Sequence, residues 1–425
     1  MKVEYVEETS VRKALAFEIE AEVVEKEIEA RARDYARKVK LPGFRPGKTP
    51  PEVIKKRFRA QVLEDVAEAV VNRVVFPELE GRGLKPLANP HVTDLKIEEN
   101  QPMTFRAVFE TLPIVELPEY KELPAKVRTA AIAEADVDRE VDRLREDAAR
   151  YDPVEGRAAR EGDFVVLDLG WRPEAGGRGG RDENAMIEVG STENHKDFNA
   201  GLVGMSPGDT KDVKVTYEKD SASKSLAGKT VQYTITLKAI KEKVLPAADD
   251  EFAKDLGDFD GLASLRDDVR RRLTAAEERR IDREVKSALV ETLVQRASFE
   301  VPEALVERHM NARTENAARG LALQGIDPTK IGMDWKGYRE SQRDDSMKAA
   351  KADILLDEVA RREGIEALDA EGDAETARIA ERVKKSKESV RLAMEKEGDL
   401  AALRARIREE KTLDLLKANA RLDFE

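Results

Sequence analysis

The stretch "LPGFRPGKTP", residues 41–50, holds three prolines and two glycines in ten positions. That punctuation makes it a loop, because proline fixes φ and glycine admits backbone conformations closed to other residues. The loop also carries Phe44, Arg45 and Lys48, an aromatic among cations that a plain connector does not require. Before it, "AEVVEKEIEARARDYARKVK" places Val24, Ile28, Tyr35 and Val39 at helical spacing with charge on the other face. After it, Thr49 is expected to cap a second helix with Pro50 and Pro51 at its start. That helix is expected to run to about Phe76 through Ile54, Phe58, Val62, Val66 and Val70. The loop is thus the tip of a helical hairpin. Between Arg31 and Arg59 the chain has eleven Lys/Arg and two acids, a local charge of +9 within a chain of −12. Composition leaves two readings open. One is a tip that docks on a polyanion or an acidic protein, its stiff loop losing little entropy on docking. The other is a helix connector with a solvated basic face.

Working outward, "VRKALAFEIE" alternates Leu15, Phe17 and Ile19 as a half-buried strand does. "HVTDLKI" and "MTFRAVFETL" read as two more strands, the second through Met103, Phe105, Ala107 and Phe109. These elements close a compact α+β region near residue 112. "LPIVELPEYKELP" (112–124) is a proline-punctuated extended connector, and residues 134–150 read as a charged helix that "YDPVEG" breaks. From Gly162 to about Lys241 the texture changes to strands ("DFVVLDLGW", "AMIEVG", "TKDVKVTYE", "KTVQYTITLKAI") separated by glycine-rich turns. This is a small antiparallel β domain. From residue 246 onward no strand pattern returns, and long charged helices dominate, with Ile354, Leu355, Val359, Leu403 and Ile407 at helical spacing.

The 425 residues exceed one hydrophobic core, so two to four domains are expected. Charged residues make up 38% and aromatics 5%, a mix that suits solvated helices with modest cores. The net charge of −12 argues against a general nucleic-acid binder and for solubility. No cysteine is present, which excludes disulfides and cysteine-ligated metals. "MKVEYVEETS" lacks an apolar h-region, so no signal peptide is expected, and no apolar run approaches the length of a membrane span. A cytoplasmic protein with no membrane and no DNA partner is the expectation. No internal repeat is present.

"GFRPGKTP" resembles the ribosome-docking motif G-F-R-x-G-x-x-P of the trigger factor family, bacterial ribosome-associated chaperones, at Gly43, Phe44, Arg45, Gly47 and Pro50. The order of segments is similar to the family along the whole chain. The resemblance implies a multidomain α+β fold. Residues 1–112 form an α+β ribosome-docking domain, 113–149 a linker contributing to the helical body, 150–245 an inserted FKBP-like antiparallel β domain, and 246–425 an extended all-α chaperone domain with arms. It implies that Gly43, Phe44, Arg45, Pro46, Gly47 and Lys48 dock on the large ribosomal subunit, against an exit-site ribosomal protein and nearby rRNA. Its clients are unfolded nascent polypeptides, it needs no cofactor, and homodimerisation off the ribosome is a property of its relatives. Cradle residues are sought among Met310, Leu321, Leu323, Ile326, Met333, Trp335 and Met394, with packing between helices the preferred reading for each.

The β segment resembles the FKBP-type peptidyl-prolyl isomerase domain of this family, through "GDFVVLDLG", "FNAGLVGMSPGD" and "LAGKTVQYTITLKAI". Such a pocket works by shape and desolvation on a bond whose rotational barrier is about 18–20 kcal/mol. By resemblance Phe198 is the aromatic floor, Tyr233 an aromatic of the last strand, and Leu169 stands where an aromatic is usual. Arg178 and Ala185 replace wall aromatics, His195 and Lys196 replace an apolar–proline pair, and Ser221 falls where a tyrosine is usual. Charge in a site that works by excluding water predicts weak or absent isomerase activity.

Other motifs are set aside. "GMSPG" (204–208) formally fits G-x-S-x-G, but a strand follows it where a nucleophile elbow needs a helix. "GGRGG" (176–180) has no helix start to hold a phosphate. His91, His195 and His309 lie in three separate segments without metal-ligand spacing. An ATP-independent chaperone leads. A prolyl isomerase acting free of the ribosome leaves the GFRxG tip unexplained, and a coiled-coil scaffold leaves the β domain unexplained.

Overall fold

Alternation in the first hundred residues builds a sheet before it builds anything else. The computed structural model of the chain describes residues 1–39, 41, 44, 49–174, 176, 179–218 and 227–424. Strands β1 (Lys2–Glu7) and β2 (Arg12–Ile19) precede helices α1 (Ala21–Lys38), α2 (Pro51–Arg57) and α3 (Arg59–Gly81). Strands β3 (His91–Lys96) and β4 (Met103–Glu110) complete an antiparallel sheet of order β1-β2-β4-β3. Phe17 faces Phe105 across the β2–β4 register, and their rings stack at 4.7 Å. On the same face Leu15, Ile19, Met103 and Phe109 meet Val24 and Ile28 of α1, Ile54 of α2, and Val62, Val66 and Val70 of α3. Strand β1 escaped the sequence reading because Val3 and Val6 are only half-buried on a sheet edge.

Three expectations for the hairpin are corrected. The helix after the loop is broken at Phe58, whose φ of −120° and ψ of 31° leave the helical region. The break costs little, because Phe58 N–H still donates to Ile54 and Val62 N–H to Phe58, and it seats the Phe58 ring beside Tyr35 at 6.2 Å. Nor does Thr49 cap the helix: Pro50 holds that position, and Thr49 is buried with no hydrogen-bond partner for its Oγ1 among the described residues. The helix also outruns Phe76. Pro77 lies inside it, and burial of Leu79 in the core draws the chain through another turn before Gly83, at φ +66°, ends it.

After the extended connector comes β5 (Pro124–Val127). Residues 129–281 then form a compact unit of their own, between two segments that together make the other unit, 1–128 and 282–425. Within 129–281, α4 (Glu134–Asp147) leads into β6 (Arg150–Val154), β7 (Asp163–Pro173) and β8 (Gly180–Glu188). Helix α5 (Lys196–Leu202), β9 (Thr210–Thr216) and β10 (Thr230–Val244) follow, then α6 (Asp250–Leu256) and the start of α7 (Leu262–Arg296). Strand β10 organises this sheet: β7 lies along one edge, while β9 and β6 divide the other. A bulge between Leu237 and Ala239 switches its inward residues from Val231, Tyr233, Ile235 and Leu237 to Ile240. Strand β6 was read as a helix break because of Pro153, which a short edge strand tolerates. Helix α5 lies so close to β9 that a Cβ at Gly201 would overlap the Val213 side chain. Val137 and Val141 of α4 share a separate small core with Phe252, Leu265 and Val269.

The rest is helical up to residue 418: α8 (Glu303–Leu323), α9 (Trp335–Ser341), α10 (Arg343–Arg362), α11 (Asp369–Arg382), α12 (Lys387–Glu397) and α13 (Asp399–Ala418). Leu305, Val306 and Met310 of α8 pack on Ala350 and Ile354 of α10, with Leu87 and Val115 against them. A strand does return, against expectation: β11 (Arg421–Phe424) pairs in parallel with β5. At four residues with two apolar side chains it is too short to show a period.

In the β domain, Arg157 grips the nearly buried Asp163 through both guanidinium nitrogens, at 2.5 and 2.8 Å, and Arg160 N–H adds a third bond at 2.8 Å. The Arg157 guanidinium holds the Asp163 carboxyl below its ordinary value, against the opposing effect of burial. A lowered folded value means the stabilisation is complete above the unfolded value of about 3.9 and is lost as pH falls through the folded one. Asp163→Asn should therefore cost about 2 kcal/mol at neutral pH. Thermal melts from pH 7 downward should show the gap to wild type closing below about pH 4.

Candidate functional site

The basic hairpin is fastened at both feet. Leu41 and Thr49 are buried, Leu41 as part of the first core, and Lys55 binds Glu25 at 2.6 Å across the helix pair. Between the feet Phe44 is 41% exposed, its N–H donating to the Leu41 carbonyl at 3.2 Å. Phe44 is thus exposed between two buried residues, Leu41 and Thr49. Gly43, Arg45, Pro46, Gly47 and Lys48 lie outside the described residues. Some cations on the flanking helices are neutralised: Arg33 by Glu29, Arg37 by Asp34, Arg59 by Glu99. Lys38, Lys56 and Arg57 are exposed and make no ion pair among the described residues, so a positive field survives at this end of the hairpin.

In the β domain the three pocket residues meet. Phe198 rises from α5 to set its ring edge-on to Tyr233, at 5.4 Å and 75°. Leu169, half-buried on β7, packs against the same cluster. Two further rings join them that the sequence reading did not name. Trp171 follows Leu169 by two positions and pairs with Tyr233 in the β7–β10 register. Its ring fills the space where Gly180 would carry a Cβ. Tyr217 follows Val213 and Val215 on the inward face, and its hydroxyl lies 2.8 Å from that of Tyr233. Period-two alternation on "DFVVLDLGW" and "TKDVKVTY" carries the signal for both. His195 caps α5, its Nδ1 accepting from Asp197 N–H at 3.2 Å, and its ring lies 5.4 Å from Tyr217. Ala185 is small and half-buried, Lys196 is exposed, and Arg178 and Ser221 lie outside the described residues.

Burial pushes the Tyr233 phenol above its ordinary value, and the bond to Tyr217 adds to the shift. The phenol therefore stays neutral and acts only through its hydrogen bond. The arrangement is an aromatic cluster with a phenol pair and an imidazole beside it. Among the described residues it contains no nucleophile–base pair, and none of them form a metal-binding group of three or more ligating side chains. Around Ser206 the order is helix, turn, strand, the reverse of a nucleophile elbow.

The cradle candidates divide. Met310 is core. Leu321, Trp335 and Met394 are half-buried, and the Trp335 Nε1 donates to the Pro328 carbonyl at 3.1 Å. Leu323 (84% exposed), Ile326 and Met333 are open to solvent, joined by Ile331, where the chain passes from α8 to α9. Among the described residues no helix is long and apolar enough to cross a membrane.

Family models agree with this organisation. That of the bacterial trigger factor protein matches residues 1–144, and that of the trigger factor C-terminus matches residues 261–418. The trigger factor of Solibacter usitatus is 35% identical over 96% of this chain and 97% of its own length. The chain belongs to the trigger factor family. The trigger factor of Halothermothrix orenii is 34% identical over 95% of each chain. A solved structure described as "Promiscuous Substrate Recognition in Folding and Assembly Activities of the Trigger Factor Chaperone" aligns over 98% of this chain and 99% of its own, at 22% identity and a TM-score of 0.48. The family is one of chaperones in protein folding and carries a prolyl isomerase domain.

The phenol pair yields a test of the cluster. Tyr217→Phe leaves the buried Tyr233 hydroxyl without its partner and should cost about 1–3 kcal/mol in denaturant unfolding. Tyr217→Phe/Tyr233→Phe removes both polar ends and should cost less than the single change.

Proposed function

We propose that this chaperone docks, without ATP, on the large ribosomal subunit beside the exit site and shields emerging polypeptides. Phe44 carries the reading: it is exposed on a loop whose two feet are buried, within the most basic part of an acidic chain. Phe44 and Arg45 form the contact, Gly43, Pro46 and Gly47 shape the loop, and Lys48 adds charge. An aromatic–arginine pair at the centre of a small interface is the usual form of a hot spot. The partners are a ribosomal protein and nearby rRNA, and the site of action is the cytoplasm. Leu323, Ile326, Ile331 and Met333 offer nascent chains a scattered apolar surface, which suits binding without one required sequence.

The β domain supplies binding more than catalysis. Phe198, Tyr233 and Leu169 remain as a prolyl pocket, but the Tyr233 hydroxyl is engaged by Tyr217. His195 and Lys196 bring polarity to its rim, where an isomerase needs dehydration.

Two measurements test these statements. In salt-dependent co-sedimentation with bacterial ribosomes, Phe44→Ala/Arg45→Ala should weaken binding about tenfold or more; unchanged binding would remove the docking role. On a proline tetrapeptide the wild-type rate should stay near the uncatalysed one, set by a barrier of about 18–20 kcal/mol. Turnover comparable to an active FKBP would overturn the reading of a degenerate pocket.

A further inference from the structure

We propose that the turn between α11 and α12 is a second cationic contact tip, and that its ligand is the phosphate backbone of RNA. From Arg378 to Arg391 the chain carries six Lys/Arg and two acids, a local charge of +4 within a chain of −12. Three of the six are neutralised: Arg378 by Glu375, and Lys387 and Arg391 by Asp373. Arg382, Lys384 and Lys385 are exposed and make no ion pair among the described residues. They crowd into four positions at the end of a helical hairpin.

The backbone supplies an independent observation. Helices α3, α8 and α10 each end in one cap residue followed by a left-handed glycine: Gly83, Gly325 and Gly364, at φ +66°, +76° and +67°. Helix α11 ends in the same way. Val383 is the cap residue, Lys384 takes the left-handed position at φ +53°, and Lys385 N–H returns to the Ala380 carbonyl. A side chain is disfavoured there, and glycine is the residue that chemistry prefers. Asp94, Asn100, Asn184 and Glu122 also have positive φ: the first three have short polar side chains that tolerate it, and Glu122 lies in the connector before β5, its N–H held by the Asn419 carbonyl, and not at a helix end. Lysine has no such local compensation. The chain uses glycine for this turn three times and lysine where the turn is surrounded by cations. Helix capping accounts for a cation near the last carbonyls, but not for lysine in the left-handed position.

The ligand follows from the chemistry of the tip. A protein interface needs an apolar centre, and Val383 is the one apolar residue between Glu381 and Ser389. Ammonium groups are hydrated point charges that suit successive phosphates. The proposal is independent of ribosome docking through the Phe44 loop, since it is read on free RNA.

The test is fluorescence anisotropy of labelled poly(U) with the full chain across a salt titration. Arg382→Gln/Lys384→Gly/Lys385→Gln should reduce the slope of log affinity against log salt by about two, at about 0.7 per phosphate contact on a single strand. Lys384→Gly alone should reduce it by about 0.7, while its melting temperature stays level or rises, so lost binding is not lost folding. The same reductions should appear on the Phe44→Ala/Arg45→Ala background, which separates this tip from the hairpin. Unchanged slopes, or no poly(U) binding by wild type, would overturn the proposal. So would tip-dependent binding of polyglutamate with tip-independent binding of poly(U), which would mark the tip as a site for an acidic protein.

Discussion

The parallel pairing of Pro124–Val127 with Arg421–Phe424 is the contact on which the discontinuous unit depends. It joins the connector after the first domain to the far end of the chain. Arg421 N–H donates to Leu123, and Glu122 N–H to the Asn419 carbonyl, at 2.9 and 2.8 Å. Leu87 and Val115 packed against α8, and Glu110 accepting from Ala304 N–H at 2.8 Å, tie the same two stretches of sequence elsewhere. A chain with 38% charged residues has few apolar side chains for a continuous core, so backbone pairing and small clusters share the task.

Charge does the corresponding work between helices. Lys286 of α7 is nearly buried and meets Glu410 and Asp414 of α13 at 2.5 and 2.7 Å, and Asp282 of its own helix at 3.0 Å. Burial alone would lower its ammonium value, but the hydrogen bonds it donates to Asp414, Glu410 and Asp282 outweigh that and raise it. One lysine thereby holds three carboxylates that would otherwise repel. Helices this polar can pack without a broad apolar face.

Most of the site was legible where a period or a motif carried it. Phe198, Tyr233 and Leu169 are candidates by resemblance that the structure brings into one cluster, and the strands around them are legible by alternation. Trp171 and Tyr217 share that alternation, Trp171 within β7 and Tyr217 one residue past the end of β9. The hydroxyl bond between Tyr217 and Tyr233 joins residues sixteen positions apart and depends on the antiparallel register of β9 and β10, which no local pattern encodes. The cradle candidates are alike in being apolar residues of the helical region, yet Met310 is wholly buried and Leu323 is 84% exposed.

By itself the sequence determined the order of textures: hairpin and sheet, connector, antiparallel strands, charged helices. Periodicity and turn residues are local properties, and neighbouring residues suffice to express them. It also determined the family, because GFRxGxxP is a contiguous motif. Only the tertiary structure decided the edges and joints. Strands β1, β5, β6 and β11 are short or half-buried and exist because a partner lies beside them. The kink at Phe58 exists because its ring has Tyr35 to meet. The burial of Leu41, three residues before the exposed Phe44, rests on a core assembled from residues far apart in sequence.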